Sequence, residues 1–305
     1  MTTDTTDTTD TPDPATADPA TVPAAGHGHG HSGRAPGAVS GLAAAGGLGA
    51  VELTWRPYRT RGRQLVDHYE VHELTAAGST LLARTLFPHH THRVGPAPVT
   101  RRYTVVAVVD SGARTRPARP AEAANARSLA AGRPVAQVGD FDHRGLEFAL
   151  SPNQSARYPT AFPQDVDFRH GTSDPGRDWC YLHPGPRDSW AGRKEHTFTL
   201  RFDLPAAPAH DLGFALWLID SHATAAGTAD LALNGHAVRT LAFRGGATRG
   251  SLEGDAARPG SVLKPSSYEL PLAAGLFTPG ENVLTLRKTS GSWIAYDALG
   301  VFAPR

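Results

Sequence analysis

The stretch HTFTLRFDL, His196 to Leu204, places an apolar side chain at every second position, at Phe198, Leu200 and Phe202. A period of two is typical of a β-strand with one face on a core and the other in water. No long helical periodicity interrupts the second half of the chain, so residues 134–305 are predicted to form two packed antiparallel sheets, a jelly roll. The other strand candidates there are DLGFALWLID (211–220), TADLALNG (228–235), SSYELPL (266–272), ENVLTLRK (281–288) and SWIAYDALGVF (292–302).

The first half contains shorter strand candidates at close spacing, with turn residues between them. Strands spaced in this way predict a separate antiparallel sandwich over residues 36–120. The chain as a whole is therefore predicted to be all-β, with two sandwiches in succession. The strand candidates of the first half are GAVELTW (49–55), DHYEVHEL (67–74), STLLART (79–85) and RRYTVVAVVDSG (101–112).

The remaining segments differ in composition. Residues 1–35 are built from Thr, Asp, Pro, Ala, Gly and His, have almost nothing to bury, and are predicted to be a disordered tail. Its GHGHGH run (26–31) is interpreted as a solvated linker rather than a metal site, because flexible ligands lose entropy on chelation. The stretch EAANARSLAAG (122–132) is rich in helix formers, so residues 121–133 are predicted to be a short helical linker.

Charge, apolar runs and cysteine content exclude several classes of protein. The 30 basic and 29 acidic residues nearly balance, which argues against nucleic acid as a partner. No apolar run approaches the roughly 20 residues of a membrane helix. The single cysteine, Cys180, excludes an internal disulfide and a cysteine zinc site. The N-terminus shows no secretory signal, so the location of the protein is left open.

An ordered set of motifs in the first half resembles the fibronectin type III domain. A proline-led PGAVSGLAA (36–44) precedes Trp55 on the second strand and Tyr69 on the third, and a Y-x-V-x-A-V strand begins at Tyr103. The resemblance covers residues 36–120. It implies that Trp55 and Tyr69 are core residues and that the Tyr103 hydroxyl caps a backbone group.

The second half resembles the C-terminal module of polysaccharide lyase family 4, the rhamnogalacturonan lyases, which has a jelly-roll, galactose-binding-like fold. The motifs that carry the resemblance are FRHGTSDPGRDWCYLHP (168–184), TFTLRFDL (197–204), L-x-L-N-G (231–235), G-x-N-x-L-T-L (280–286) and Y-D-x-L-x-V (296–301). In that family a catalytic β-sandwich and a fibronectin-III-like domain precede this module. The catalytic lysine and histidine belong to the first domain, which this chain does not resemble, so no catalytic residue is carried over.

The resemblance implies non-catalytic binding of a pectin or rhamnogalacturonan-type polysaccharide, accessory to polysaccharide degradation. It also implies a separate catalytic domain or protein as a partner. Such a function would place the protein outside the cell.

The Gly- and Pro-rich stretch 169–196 is predicted to be a loop that carries the ligand site. Aromatic rings pack on the CH faces of sugars, and arginines grip carboxylates, which favours an acidic plant cell-wall polymer. A structural role is the alternative, in which the tryptophan is buried and the arginines pair with neighbouring aspartates. The predicted ligand-binding residues are Arg177, Asp178, Trp179, Tyr181, His183, Arg187 and Trp190, with Trp293 from the start of the last strand.

Two other functions remain open. A lyase or glycoside hydrolase would use carboxylates and histidines of the same loop, such as His170, Asp174, Asp178 and His183. A structural or adhesive module would bind another protein. The sequence lacks the common nucleophile, zinc-protease, phosphate-loop and dinucleotide motifs. No cofactor or metal is predicted; a structural calcium at Asp297 is the alternative, although one carboxylate is far short of the about six to eight oxygens that calcium takes.

Overall fold

The computed structural model describes residues 37–60, 64–247 and 263–304. The predicted disordered tail and its GHGHGH run lie outside these residues. The described part of the chain belongs to one compact unit that begins at Pro36, and it contains two β-sandwiches, as the alternation of the sequence predicts.

The first sandwich consists of a three-stranded and a four-stranded sheet. The strand order is β1-β2-β5 in the smaller sheet and β4-β3-β6-β7 in the larger one, with all pairs antiparallel. Its strands are β1 (Ala43–Gly47), β2 (Ala50–Thr54), β3 (Val66–Thr75), β4 (Gly78–Thr85), β5 (His89–Arg93), β6 (Thr100–Val109) and β7 (Ala121–Ala124).

The core of the first sandwich contains the predicted aromatic residues. Trp55 and Tyr69 are buried and meet edge to face, with ring centres 5.3 Å apart. Tyr103 is fully buried, but its hydroxyl lies 3.1 Å from Nδ1 of His92 rather than against a backbone group. The tyrosine whose hydroxyl binds the backbone is Tyr69, which accepts the amide of Tyr58 at 2.9 Å. The predicted cap at Tyr103 is therefore wrong.

The helix predicted between the sandwiches is not formed. Ala121–Ala124 pairs with Thr100–Tyr103 and completes the larger sheet. Only Leu129–Ala131 forms a single 3-10 turn, in which the Ser128 hydroxyl accepts the amide of Ala130. The free edge of β6 offers backbone hydrogen bonds to this segment, and this tertiary pairing outweighs the helix propensity of its alanines.

The second sandwich has two five-stranded sheets. One has the order β10-β17-β12-β15, with β8 also paired to β17; the other has the order β14-β13-β16-β11-β9, in which β9 and β11 are parallel. Its strands are β8 (Arg133–Gly139), β9 (Val166–Arg169), β10 (Leu182–His183), β11 (His196–Leu204), β12 (Leu212–Ser221), β13 (Thr228–Leu233), β14 (His236–Ala242), β15 (Ser266–Leu272), β16 (Gly280–Lys288) and β17 (Ile294–Ala303).

Alternation along the strands decides which side chains enter this core. On β11, Phe198, Leu200 and Phe202 are buried, as the sequence predicts. The β13–β14 hairpin turns at Asn234 and Gly235, both with positive φ, which is type I′ geometry. The loops that connect the strands therefore lie at the two ends of the sandwich.

Helices are short in the described residues. The two α-helical turns are α1 (Tyr158–Ala161) and α2 (Pro175–Asp178). Over this part of the chain no helix has the length and apolar character needed to cross a membrane.

Candidate functional site

The predicted aromatic surface of residues 169–196 lies mostly in the core. Trp179, Tyr181, His183 and Trp293 are each no more than 2% exposed. The Trp179 indole meets the rings of Phe198 and Tyr296 edge to face at 5.2 Å each, so it has no face left for a sugar. The prediction that these four side chains bind a ligand is therefore not supported, because the loop folds back across the sheet.

The two buried histidines of this region fix the loop to the core. His183 lies between the Tyr296 hydroxyl and the carbonyl of His196, at 2.8 Å from each, and burial lowers the pKa of its imidazole to about 3. His196 donates Nε2–H to the Ala191 carbonyl and contacts Asp165 through Nδ1 at 2.6 Å. His183 is neutral and enclosed, so the cluster proposed for acid–base catalysis does not assemble around it.

Arg177 and Asp178 form an ion pair with each other. The guanidinium of Arg177 donates to both oxygens of Asp178, at 2.8 and 2.7 Å, on the surface of α2. This hydrogen bond lowers the pKa of the Asp178 carboxyl. The pair matches the structural alternative given above. Asp174 caps the same turn by accepting the amide of Gly176.

Arg187 and Trp190 are the two remaining predicted residues, and both are at least partly accessible. The Arg187 side chain is exposed, and its guanidinium forms no ion pair with any described residue. Trp190 is half-buried on a 3-10 turn, with its ring edge-on to Tyr158 at 6.2 Å. The arginines Arg169 and Arg201 of the outer sheet face, in contrast, are each paired with carboxylates.

Arg187 stands at the rim of a cleft of about 470 Å³ at one end of the second sandwich. Loops that follow β10, β12, β14 and β16 form its walls, and the amide of Arg187 donates to the Gly291 carbonyl at 3.0 Å. We call it the Arg187 cleft; it is lined by Arg187, residues 223–227, Phe243, Gly245, Ser290 and Gly291.

A buried lysine lies beneath the Arg187 cleft. The Lys288 ammonium donates to the carbonyls of Ala226 and Ser290 and lies 5.2 Å from the centre of the Phe243 ring. Burial lowers its pKa to about 8, while the charge of Asp188 acts in the opposite direction. The cleft thus has one cation on its rim and a second below its floor, an arrangement suited to an anionic ligand.

Asp188 supports this floor from the other side. One of its oxygens accepts the Gly185 amide at 2.8 Å and the other the Ser292 hydroxyl, while burial raises the pKa of the carboxyl. Among the described residues that line the cleft there is no carboxylate and no histidine.

Sequence reasoning identified Arg187 but missed Lys288, Thr224 and Ser290. The strand GENVLTLRK carries the signal for Lys288, because a period of two from Leu284 and Leu286 places residue 288 on the inner face. The glycine-rich turns that present Thr224 and Ser290 carry no signal of their own.

A structural calcium at Asp297 stays a prediction. Asp297 is fully buried, and its Oδ1 accepts the Arg144 amide at 2.9 Å. Among residues 37–60, 64–247 and 263–304, no group of three or more His, Cys, Asp or Glu side chains is placed to hold a metal ion.

Comparison with solved structures returns fibronectin type III domains. One reported as "Structure of FN3tt mut" is 17% identical over 30% of this chain and 96% of its own, with a TM-score of 0.25. A Fn3-like protein from Clostridium thermocellum is 24% identical over 29% of this chain and 92% of its own, with a TM-score of 0.23. The three-stranded and four-stranded antiparallel sheets of the first sandwich agree with the predicted sandwich.

A search of curated proteins found no match to this chain. Residues 134–300, more than half of the chain, match the family model described as "CBM-like: Polysaccharide lyase family 4, domain III". This match covers nearly the whole second sandwich and indicates a carbohydrate-related function. The chain therefore belongs to the family of carbohydrate-binding-module-like third domains of polysaccharide lyase family 4.

Proposed function

We propose that this protein binds an acidic plant cell-wall polysaccharide of the rhamnogalacturonan type through the Arg187 cleft and does not cleave it. The observation that carries the proposal is the unpaired, exposed Arg187 guanidinium at the rim of a cleft whose floor covers the buried Lys288 ammonium. Family membership supports the carbohydrate, and the two cations favour its acidic form.

Each part of the cleft has a chemical role in this proposal. The Arg187 guanidinium can form two parallel hydrogen bonds with a uronate carboxylate, the geometry for which arginine is best suited. The hydroxyls of Thr224 and Ser290, both exposed, can exchange hydrogen bonds with sugar hydroxyls. Lys288 adds a long-range attraction, since its charge is screened less in the interior than on the surface.

In this proposal Trp190 would supply an apolar contact to the sugar. It lies three residues after Arg187 and is partly exposed. A sugar CH face packed on this ring would extend the contact beyond a single residue, as polysaccharide binding requires.

The test is a pull-down with the full-length protein. Insoluble rhamnogalacturonan-rich pectin, the same pectin with its carboxyls reduced to alcohols, and cellulose are compared, and unsaturated products are followed by ultraviolet absorbance. We expect depletion onto the acidic pectin alone, with no rise in absorbance. Arg187→Ala should weaken this binding at least tenfold, while Arg239→Ala, which removes an exposed arginine on β14, should leave it unchanged.

Three results would contradict the proposal. Equal binding to the reduced pectin would show that the sugar carboxylate plays no part in binding. Equal loss with both arginine variants would place the site outside the Arg187 cleft. A steady rise in absorbance would show that the protein is a lyase, which is the alternative function that the sequence left open.

A further inference from the structure

A second cleft that combines arginines with an aromatic ring lies at one end of the first sandwich. Its volume is about 490 Å³, and it is formed by the segment that precedes β1 and the segment that follows β2. All of its lining residues belong to the first sandwich, so it is separate from the Arg187 cleft. We call it the Arg56 cleft; it is lined by Ala38, Ser40, Arg56, Pro57, Tyr58 and Arg59.

The Arg56 cleft lies at the end of the β1–β2 hairpin that faces away from the second sandwich. The two strands run side by side from the pair Ala43 and Thr54, next to the cleft, to the hairpin tip at Leu48 and Gly49. Leu48 packs against the cluster that includes Trp217 of the second sandwich. The contact between the sandwiches is thus made by the opposite end of the hairpin and leaves the cleft uncovered.

The position of Arg56 is fixed by its surroundings. Its amide donates to the Ser40 carbonyl at 3.0 Å, and the amide of the preceding Trp55 donates to the Pro88 carbonyl at 3.0 Å. The stem of the Arg56 side chain lies over Gly41, where an added Cβ would come 2.9 Å from Cγ of the arginine. Contacts that hold a side chain in place before binding reduce the entropy that a ligand must offset.

Tyr58 presents a partly exposed ring in the same cleft. Its amide donates to the Tyr69 hydroxyl at 2.9 Å, and its side chain packs against the core of the first sandwich. Its own hydroxyl makes no hydrogen bond with any residue of the described ranges. A ring that is held by the core and partly in solvent can pack on the CH face of a sugar.

The charge of the Arg56 cleft is uncompensated. Arg56 and Arg59 are both exposed, and neither forms an ion pair within the part of the chain that the structure describes. No carboxylate is present among the described residues that line the cleft. Two guanidinium groups on the wall of a cleft attract an anion and can grip a carboxylate through paired hydrogen bonds.

We propose that the Arg56 cleft is a second site for an acidic sugar, in which Arg56 and Arg59 bind a uronate carboxylate and Tyr58 packs on the sugar ring. The exposed Ser40 hydroxyl can exchange hydrogen bonds with the sugar hydroxyls. The choice of a uronate rests on the proposed function of the Arg187 cleft, whereas the two unpaired cations and the ring are independent of it. With one site on each sandwich, the protein holds two segments of an acidic polymer, which strengthens retention on it.

The second site can be tested by nuclear magnetic resonance on the full-length protein. The probe is trigalacturonate, with the same oligosaccharide reduced to its neutral form as the control, and the backbone amide shifts are followed during titration. We expect trigalacturonate to shift the amides of Gly41 and Tyr58 at the Arg56 cleft. It should separately shift those of Thr224 and Gly291 at the Arg187 cleft, and the neutral control should shift neither group.

Two matched double variants separate the site from general charge effects. Arg56→Ala with Arg59→Ala should weaken binding at the Arg56 cleft roughly tenfold or more, because a hydrogen-bonded charge is lost, and should leave binding at the Arg187 cleft unchanged. Arg116→Ala with Arg119→Ala removes two exposed arginines of the same sandwich that do not line the cleft. This control should bind trigalacturonate at both clefts as the unchanged protein does.

The outcomes distinguish the second site from the first. Shifts confined to the Arg187 cleft would overturn the second site and leave the proposed function standing. Shifts confined to the Arg56 cleft would contradict the proposed function and support the second site. Equal weakening by the two double variants, or equal shifts with the neutral oligosaccharide, would overturn the recognition of a carboxylate by Arg56 and Arg59. The absence of shifts at both clefts would contradict both proposals.

Discussion

The carboxylate of Glu269 on β15 accepts the indole N–H of Trp217 on the neighbouring strand β12 at 2.9 Å. Its second oxygen accepts the amide of Leu129 at 2.7 Å, and the Ser128 hydroxyl bonds to the first. The Glu269 side chain thus links β12 to the turn that connects the two sandwiches.

Loss of Glu269 should weaken the whole protein. Glu269→Ala leaves the Trp217 N–H without a partner, and an unmet buried donor costs about 1–3 kcal/mol, whereas the exposed Leu129 amide can bond to water instead. We expect a loss of about 1–3 kcal/mol in the free energy of unfolding, measured by urea denaturation. Glu269→Gln, which keeps an acceptor, should lose less; equal losses would show that the carboxylate contacts contribute little.

Trp179→Ala should act on stability rather than on binding. The indole is buried, and truncation of a buried tryptophan to alanine typically costs about 3–5 kcal/mol. Trp179→Phe, which keeps an aromatic ring in the core, should fold and bind pectin like the unchanged protein. Weak pectin binding by a fully folded Trp179→Phe would restore Trp179 as a ligand residue.

The Asp165 carboxylate should contribute to resistance against acid. Burial opposes its ionisation, but bonds from the Thr197 amide and from His196 outweigh burial and lower its pKa. A lowered pKa adds stability above the unfolded value of about 3.9, and this stability is lost as the pH falls below it. We therefore expect the melting temperature of Asp165→Asn to lie below that of the unchanged protein near neutral pH.

The difference in melting temperature between Asp165→Asn and the unchanged protein should shrink in acid. Protonation of the Asp165 carboxylate removes the same interaction that the substitution removes. Asparagine tolerates the positive φ of position 165, so the backbone is not the cause of the change. A difference in melting temperature that is constant with pH would contradict the assignment.

Binding of acidic pectin should weaken above about pH 8. The Lys288 pKa is lowered to about 8, so the floor of the Arg187 cleft loses its charge there, whereas Arg187 stays protonated. The affinity is measured from pH 6 to pH 9.5 at constant ionic strength. Arg187→Lys serves as the comparison, because it keeps the same floor. Affinity that does not change across this range would mean that Lys288 has a purely structural role.

Strands with visible alternation could be predicted from the sequence, and those without it could not. The bounds predicted for residues 196–204 and 266–272 agree with β11 and β15. The strand β5, HHTHR, was missed because it has no apolar face of its own and is paired only with β2. Its place in the sheet is decided by that pairing, which the local sequence does not encode.

The candidate site was harder to predict than the fold. Composition shows that residues 169–196 combine aromatic and charged side chains, but it does not show which of them the sandwich covers. Trp179 and Arg187 stand eight positions apart in the same stretch, yet one is enclosed between two sheets and the other is exposed. That difference arises from the path of the chain across β17, through the pairing of Leu182 with Ala295.

Gly49, at the tip of the β1–β2 hairpin, fits so closely on Trp217 that an added Cβ would lie 2.6 Å from the indole, so the first sandwich is held on the second in one orientation rather than joined by a flexible linker. A flexible linker would let a bound polymer sample every direction and would only raise its local concentration. A fixed contact between the sandwiches also sets their orientation. A polysaccharide held in the Arg187 cleft would therefore be presented at one angle to any protein docked on the first sandwich. A side chain placed at position 49 should therefore change the orientation of the second sandwich relative to the first, while its affinity for the polysaccharide stays the same.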